Sequence, residues 1–229
     1  MITGAAGYVG RATAKEFLSN GARLFLVDHA EDRLERLYPD LSGSSDHYLG
    51  QSIDVNESEI LENAVNEAVQ RLGRIDVLVN TIGTYFAGVP LDEMDATQAD
   101  VLMGINARSV FVSCQKVIPV MRRQRSGSII SISSKSGLKG EAGASIYSAS
   151  KAVVIRLTES MAAELKAVGI RVNCVLPALI DTTPNREAMP GADYSKWVTP
   201  ESVAKVIGFL ASDAARDITG AAIPISGRL

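Results

Sequence analysis

The pair best suited to moving a proton in this sequence is Tyr147 and Lys151, in the run Tyr147-Ser148-Ala149-Ser150-Lys151. Positions i and i+4 of a helix share a face, so a phenol and an ammonium would stand side by side. A phenol titrates near about 10 and is a poor acid or base at neutral pH. A neighbouring cation stabilises the phenolate, so the pairing is expected to lower the tyrosine pKa. The tyrosine can then give a proton to a carbonyl oxygen or take one from an alcohol. An exposed helical pair without chemistry has the same spelling, so context must decide. Ser134 closes the apolar run 128–133, at the kind of strand end where parallel-sheet sites gather. Its hydroxyl can donate to an oxygen as charge develops there; a serine in a serine-rich strand end is the plain alternative. Asn106 interrupts a long apolar stretch, where a buried amide must find partners. It is either a satisfied core amide or a fixed bend holding a water.

A second group of residues suits a dinucleotide. Thr3-Gly4-Ala5-Ala6-Gly7-Tyr8-Val9-Gly10 opens a helical stretch. Glycines allow a tight turn and close backbone approach to a pyrophosphate, which sits on the helix N-terminus. Asp28 ends the next strand-like run, where a carboxylate accepts from adenosine ribose hydroxyls and repels a 2′-phosphate. The alternative is a cap for a helix starting near Ala30. Asp54-Val55 ends a third strand-like run and either flanks the adenine or caps a helix.

The elements that must position these residues alternate. Strand-length runs at 24–27, 75–79, 128–132 and 170–175 are rich in branched or aromatic side chains, and helical patterns fill 11–20, 57–72, 94–123, 147–168 and 200–211. This alternation predicts an α/β, Rossmann-type doubly wound parallel sheet in one domain spanning 1–229. Only Met1 and Ile2 precede Thr3, so either the chain's true start lies upstream or the first strand is a stub. The helices around Phe111 and Val154 are apolar on more than one face, which predicts a homodimer or homotetramer over a thick monomer core.

With 229 residues, 46% hydrophobic and 21% charged, and a net charge of −3, the chain can bury a full core and has no basic bias toward nucleic acid or anionic membrane. The two cysteines, Cys114 and Cys174, lack metal-ligand spacing and read as reduced thiols, with no metal expected. Without a long apolar run or a leader-like start, the protein is expected to be cytoplasmic.

Taken in order, the glycine loop, Asp28, Asn106, Ser134, Tyr147 and Lys151 resemble the short-chain dehydrogenase/reductase family along essentially the whole chain from Thr3. The resemblance implies an oxidoreductase that moves hydride between a nicotinamide cofactor and a small carbonyl/alcohol substrate. Tyr147 would be the general acid/base. Lys151 would bind the nicotinamide ribose, Ser134 would polarise the substrate oxygen, and Asn106 would anchor a relay water. Gly4, Gly7, Tyr8, Val9, Gly10, Asp28, Asp54, Val55, Asn80, Gly83, Pro177, Ile180 and Thr182 would line the cofactor, with NAD(H) preferred and NADP(H) possible. The sequence departs from the family at Tyr8, where a glycine is commonest, at Thr81-Ile82 in place of asparagine-alanine, and at Ala178 in place of glycine. The segment 183–198 reads as a substrate lid hinged at Gly191, with the only tryptophan, Trp197, reporting its closure. That segment is similar to the corresponding loop of quinonoid dihydropteridine reductases, which makes a pterin reductase the alternative. Those enzymes lack the serine that Ser134 supplies. A non-catalytic dinucleotide-binding protein would have no need of the four polar residues together.

Overall fold

Short branched runs separated by amphipathic helices bury both only when helices cover the two faces of a parallel sheet. The computed structural model, which describes Met1–Arg228, has that architecture. Its strands are β1 (Ile2–Thr3), β2 (Phe25–Val27), β3 (Tyr48–Gly50), β4 (Val77–Asn80), β5 (Gly127–Ile132), β6 (Ile170–Pro177) and β7 (Ala222–Ile225). They form one sheet in the order β3-β2-β1-β4-β5-β6-β7, with every pair parallel. The order reverses between β1 and β4, so the crevice beyond their carboxyl ends is where a doubly wound sheet binds its ligand.

The helices are α1 (Tyr8–Ser19), α2 (Arg33–Leu37), α3 (Ser58–Leu72), α4 (Ala96–Met103), α5 (Ser109–Gln124), α6 (Ser145–Leu165), α7 (Thr183–Ala188) and α8 (Pro200–Ala211). One apolar cluster joins the sheet to α3, α5 and α6 through Leu61, Val117, Met121, Ile129 and Ile155. The other joins it to α1 and α8 through Ala14, Phe17, Ile130, Val203 and Ile207. Consecutive β5 residues Ile129 and Ile130 thus serve opposite clusters, each burial contributing about 1.5–3 kcal/mol. Among the described residues, no helix is long and apolar enough to cross a membrane.

The first strand is a stub of two residues, yet its neighbours keep their partners. Met1 donates its nitrogen to the Val77 carbonyl at 2.7 Å and accepts from the Val79 amide at 2.9 Å. The Thr3 carbonyl accepts from the Thr81 amide at 3.2 Å, and the Ala5 amide continues the ladder to the Val27 carbonyl at 3.1 Å.

Three expectations need correction. The stretch 94–123 is not one helix, because a π-helical turn, Gly104–Arg108, separates α4 from α5. Of the two residues expected to mark a subunit interface, Val154 is fully buried by its own chain and cannot itself meet a partner; Phe111 on α5 remains 49% exposed. Edge strand β7 and helix α2 were not read from the sequence, β7 because Pro224 interrupts its pattern and α2 because it is little more than one turn.

Candidate active site

The glycine loop joins β1 to α1 at the crevice. Gly4 has φ +70°, a conformation that L side chains rarely adopt. A β-carbon on Gly10 would run into the Gly4 carbonyl, and one on Gly4 would stand 2.9 Å from Ile82 Cγ1. Helix α1 starts at Tyr8 behind Gly7 with no side-chain cap, so its first-turn amides face the crevice end unclaimed. The departure at Thr81 is accommodated, because its hydroxyl donates to the Thr3 carbonyl at 2.7 Å and ties β4 to the loop.

Asp28 is 5% exposed and accepts from the Ala6 amide at 3.1 Å and the Ala30 amide at 3.2 Å. It therefore fixes the glycine loop against the β2 end and is not the cap of α2, whose N-cap is Asp32. Beside it lies a cluster that the sequence reading missed. Arg11, Arg33 and Arg36, with Ala6, Tyr8 and Leu37, line a cavity of about 320 Å³. The Arg33–Arg36 spacing of one helical turn was the available signal. Asp54 caps its own turn by accepting from the Asn56 amide at 2.8 Å, and Val55 is buried in the core.

At the β4 end, Asn80 is turned inward, donating to Ser131 Oγ at 3.1 Å and so tying β4 to β5. Gly83 stands where a β-carbon would approach Lys151 Nζ to 2.9 Å and Asn106 Oδ1 to 3.3 Å. Asn106 lies in the π-helical turn and is fully buried. It accepts from the Thr84 amide at 2.8 Å and donates to the Thr84 carbonyl at 3.0 Å and to Ser150 Oγ at 3.1 Å. The Asn106 amide is therefore satisfied within the chain, and it lies in the π-helical turn.

Ser134 follows β5 and accepts from the Ser136 amide at 3.2 Å. Tyr147 lies in the first turns of α6. Burial pushes its phenol above the ordinary value, a hydrogen bond with Ser134 pulls the other way, and Tyr85 and Glu141 add to the rise. This corrects the expectation of a lowered pKa. The Lys151 ammonium, on the same helix face, turns to the Ile132 carbonyl at 3.3 Å. Lys151 is 4% exposed, and burial brings its pKa down to about 8. Its own backbone carbonyl accepts from Ser133 Oγ at 2.8 Å, fixing α6 against β5.

Beyond β6, Ile180 bridges to Val198, and the Asp181 amide donates to the Val198 carbonyl at 2.8 Å. Arg186 pairs with Asp181 through both carboxylate oxygens, at 2.5 and 2.7 Å, and lies over the Tyr194 ring. Tyr194 in turn packs edge-on against Trp197, with ring centroids 4.8 Å apart. Trp197 is 6% exposed, so its ring is buried at the end of the segment expected to act as a lid. Asn185 donates to the Ile180 carbonyl at 2.8 Å. Pro177, Ile180 and Thr182 lie along this segment from the end of β6.

Geometry of this kind is shared with known proteins. The short chain dehydrogenase family profile matches residues 1–192. A 3-oxoacyl-[acyl-carrier-protein] reductase of Thermotoga maritima is 37% identical over 100% of this chain and 96% of its own length. The NADP-bound structure of ElxO superposes with a TM-score of 0.90 at 28% identity, covering 99% of this chain and 96% of that one. An NAD⁺-bound xylitol dehydrogenase does so at 0.88 and 25% identity, covering 99% and 96%. A parallel seven-stranded sheet, a glycine turn at its switch point and similarity along the whole chain lead to one conclusion: this chain belongs to the short-chain dehydrogenase family of oxidoreductases.

Proposed function

We propose that the protein interconverts a small ketone or aldehyde and its alcohol, using NAD(H), with Tyr147 as the general acid/base. The observation that carries this reading is the meeting of Ser134, Tyr147 and Lys151 beside Gly83 at the carboxyl ends of β4 and β5. The residues fit a dinucleotide: the cradle at Gly4 and Gly10 leaves no room for a β-carbon, and the first-turn amides of α1 are free for a pyrophosphate. Tyr8, Val9 and Gly10 would hold that group, Asp28 the adenosine ribose, Lys151 the nicotinamide ribose, and Pro177, Ile180 and Thr182 the carboxamide end. The bound cofactor supplies or accepts hydride.

A phenol held above its ordinary pKa stays protonated at neutral pH, the state needed to donate to a carbonyl. Tyr147 gives its proton to the substrate oxygen while Ser134 donates a hydrogen bond to the same atom. The Lys151 ammonium stabilises the phenolate that remains. Asn106 positions the Gly83–Thr84 backbone beside Lys151.

Tyr147→Phe tests this reading, because it keeps the ring and deletes only the proton. NADH-dependent reduction of simple ketones should fall by at least about a hundredfold, with NADH affinity retained. Turnover within a few-fold of the parent would remove Tyr147 from the chemistry.

A second cofactor reading has one observation in its favour. The Arg11, Arg33 and Arg36 cavity adjoins Ala6, which Asp28 also contacts, and could neutralise a 2′-phosphate there. Asp28 argues for NAD(H), since a carboxylate facing a phosphate dianion is unfavourable. Calorimetry decides: tighter NADPH than NADH binding, lost in Arg33→Ala, would show that the arginines prevail. The pterin alternative gains no such support, because Asn185 and Arg186 are engaged within their own segment.

A further inference from the structure

Tyr85 is 69% exposed, yet the backbone on both sides of it is fastened. On one side, Thr84 is held at its amide and its carbonyl by the buried Asn106 side chain, at 2.8 and 3.0 Å. On the other, the Gly88 amide donates to the Gly143 carbonyl at 2.8 Å. The two glycines cross so closely that a β-carbon on Gly143 would stand 3.2 Å from Gly88 Cα, and both have positive φ. This crossing ties the loop bearing Tyr85 to the loop bearing Glu141. Between the two fastenings, the Tyr85 ring stands edge-on to the Tyr147 ring, with centroids 4.9 Å apart. An aromatic ring in water gains nothing from being held in place unless something packs on it. Leu138, 58% exposed, ends the turn that follows Ser134, and Glu141 lies two residues before Gly143, on the loop tied to that of Tyr85.

From this fixed ring and the acidic residue on the loop tied to it, we infer that Tyr85 is a specificity-determining residue and that the substrate is an uncharged ketone or alcohol bearing a flat or cyclic apolar group. The inference rests on Tyr147 being the acid/base of the proposed reaction. The apolar group lies against the exposed face of Tyr85 while the carbonyl oxygen reaches Tyr147 and Ser134. A carboxylate or phosphate on the substrate would meet Glu141 and be disfavoured.

Steady-state reduction of three probes tests it: 1-phenylpropane-1,2-dione (flat and neutral), butane-2,3-dione (small and neutral) and acetoacetate (anionic). The wild-type protein should show kcat/KM for the phenyl dione about tenfold above that for butanedione, mostly through KM, since an aromatic contact of this kind is worth roughly a factor of ten. Acetoacetate should be the poorest of the three. Tyr85→Phe should keep the phenyl-to-butanedione ratio, and Tyr85→Ala and Tyr85→Leu should bring it toward one. Glu141→Gln should raise kcat/KM for acetoacetate and leave the order of the neutral probes as it was. A ratio unchanged in both Tyr85→Ala and Tyr85→Leu, or acetoacetate used by the wild type as well as butanedione, overturns this inference while leaving the proposed reaction standing. If the wild type reduces none of the three with NADH or NADPH, the proposed reaction falls, and the inference with it.

Discussion

Replacing Lys151 by methionine should make the cofactor-free protein more stable while ending its activity, and the gain should fade as pH rises. The Lys151 ammonium is buried, and its one hydrogen bond runs to the Ile132 carbonyl at 3.3 Å. Burial lowers its pKa from 10.5 to about 8. In the unfolded chain the same group titrates near its ordinary value, so between about pH 8 and 10.5 the unfolded state binds more protons than the folded one. In that window stability rises with pH, and below it the folded protein bears the full cost of the buried charge. At about 1.4 kcal/mol per pKa unit, that cost is about 3 kcal/mol at pH 6.5 and about 1 kcal/mol at pH 9.5. Methionine has similar length and no charge, but it leaves the Ile132 carbonyl without this donor, which returns about 1 kcal/mol. The net expectation is a gain of about 2 kcal/mol at pH 6.5 and none at pH 9.5. For a chain of this size, that gain is roughly 4–8 °C in Tm. Urea unfolding of both proteins at the two pH values measures the difference. A variant less stable than the parent at pH 6.5, or a difference that does not change with pH, would refute the account of Lys151 as an uncompensated buried cation.

In the proposed mechanism the same ammonium sets an alkaline limit on reduction. Reductive kcat/KM should decline as pH rises through about 8, where Lys151 loses its proton, and a profile flat to pH 10 would contradict its role beside Tyr147. Gly83→Ala should cut turnover strongly with little loss of Tm, since the new methyl would stand 2.9 Å from the flexible end of Lys151; near-parental activity would show that the amine moves aside freely. Phe111 on α5 and Val101 on α4 remain about half exposed, so light scattering should return a multiple of 24.3 kDa, with Phe111→Asp shifting it toward the single-chain mass. A parent protein at the single-chain mass at micromolar concentration would count against a subunit interface there.

The alternation of branched runs and amphipathic stretches determined the fold class, because only a covered parallel sheet buries both kinds of segment. Glycine spacing and the Tyr147–Lys151 interval were equally legible, since a positive φ at Gly4 and a shared face of α6 follow from local geometry. Local geometry did not decide what surrounds each group. The i,i+4 spacing suggested that Lys151 would lower the Tyr147 pKa, but the depth of burial raised it, and depth depends on the whole sheet and its helices. Asn106 offered two readings in the sequence, and its amide was settled by Thr84 and Ser150, which are distant in the chain. Three arginines from α1 and α2 met around one cavity, and two glycines from separate loops crossed beside Tyr85. Such meetings follow from where the strands of a sheet carry their loops, and no interval along the chain encodes them.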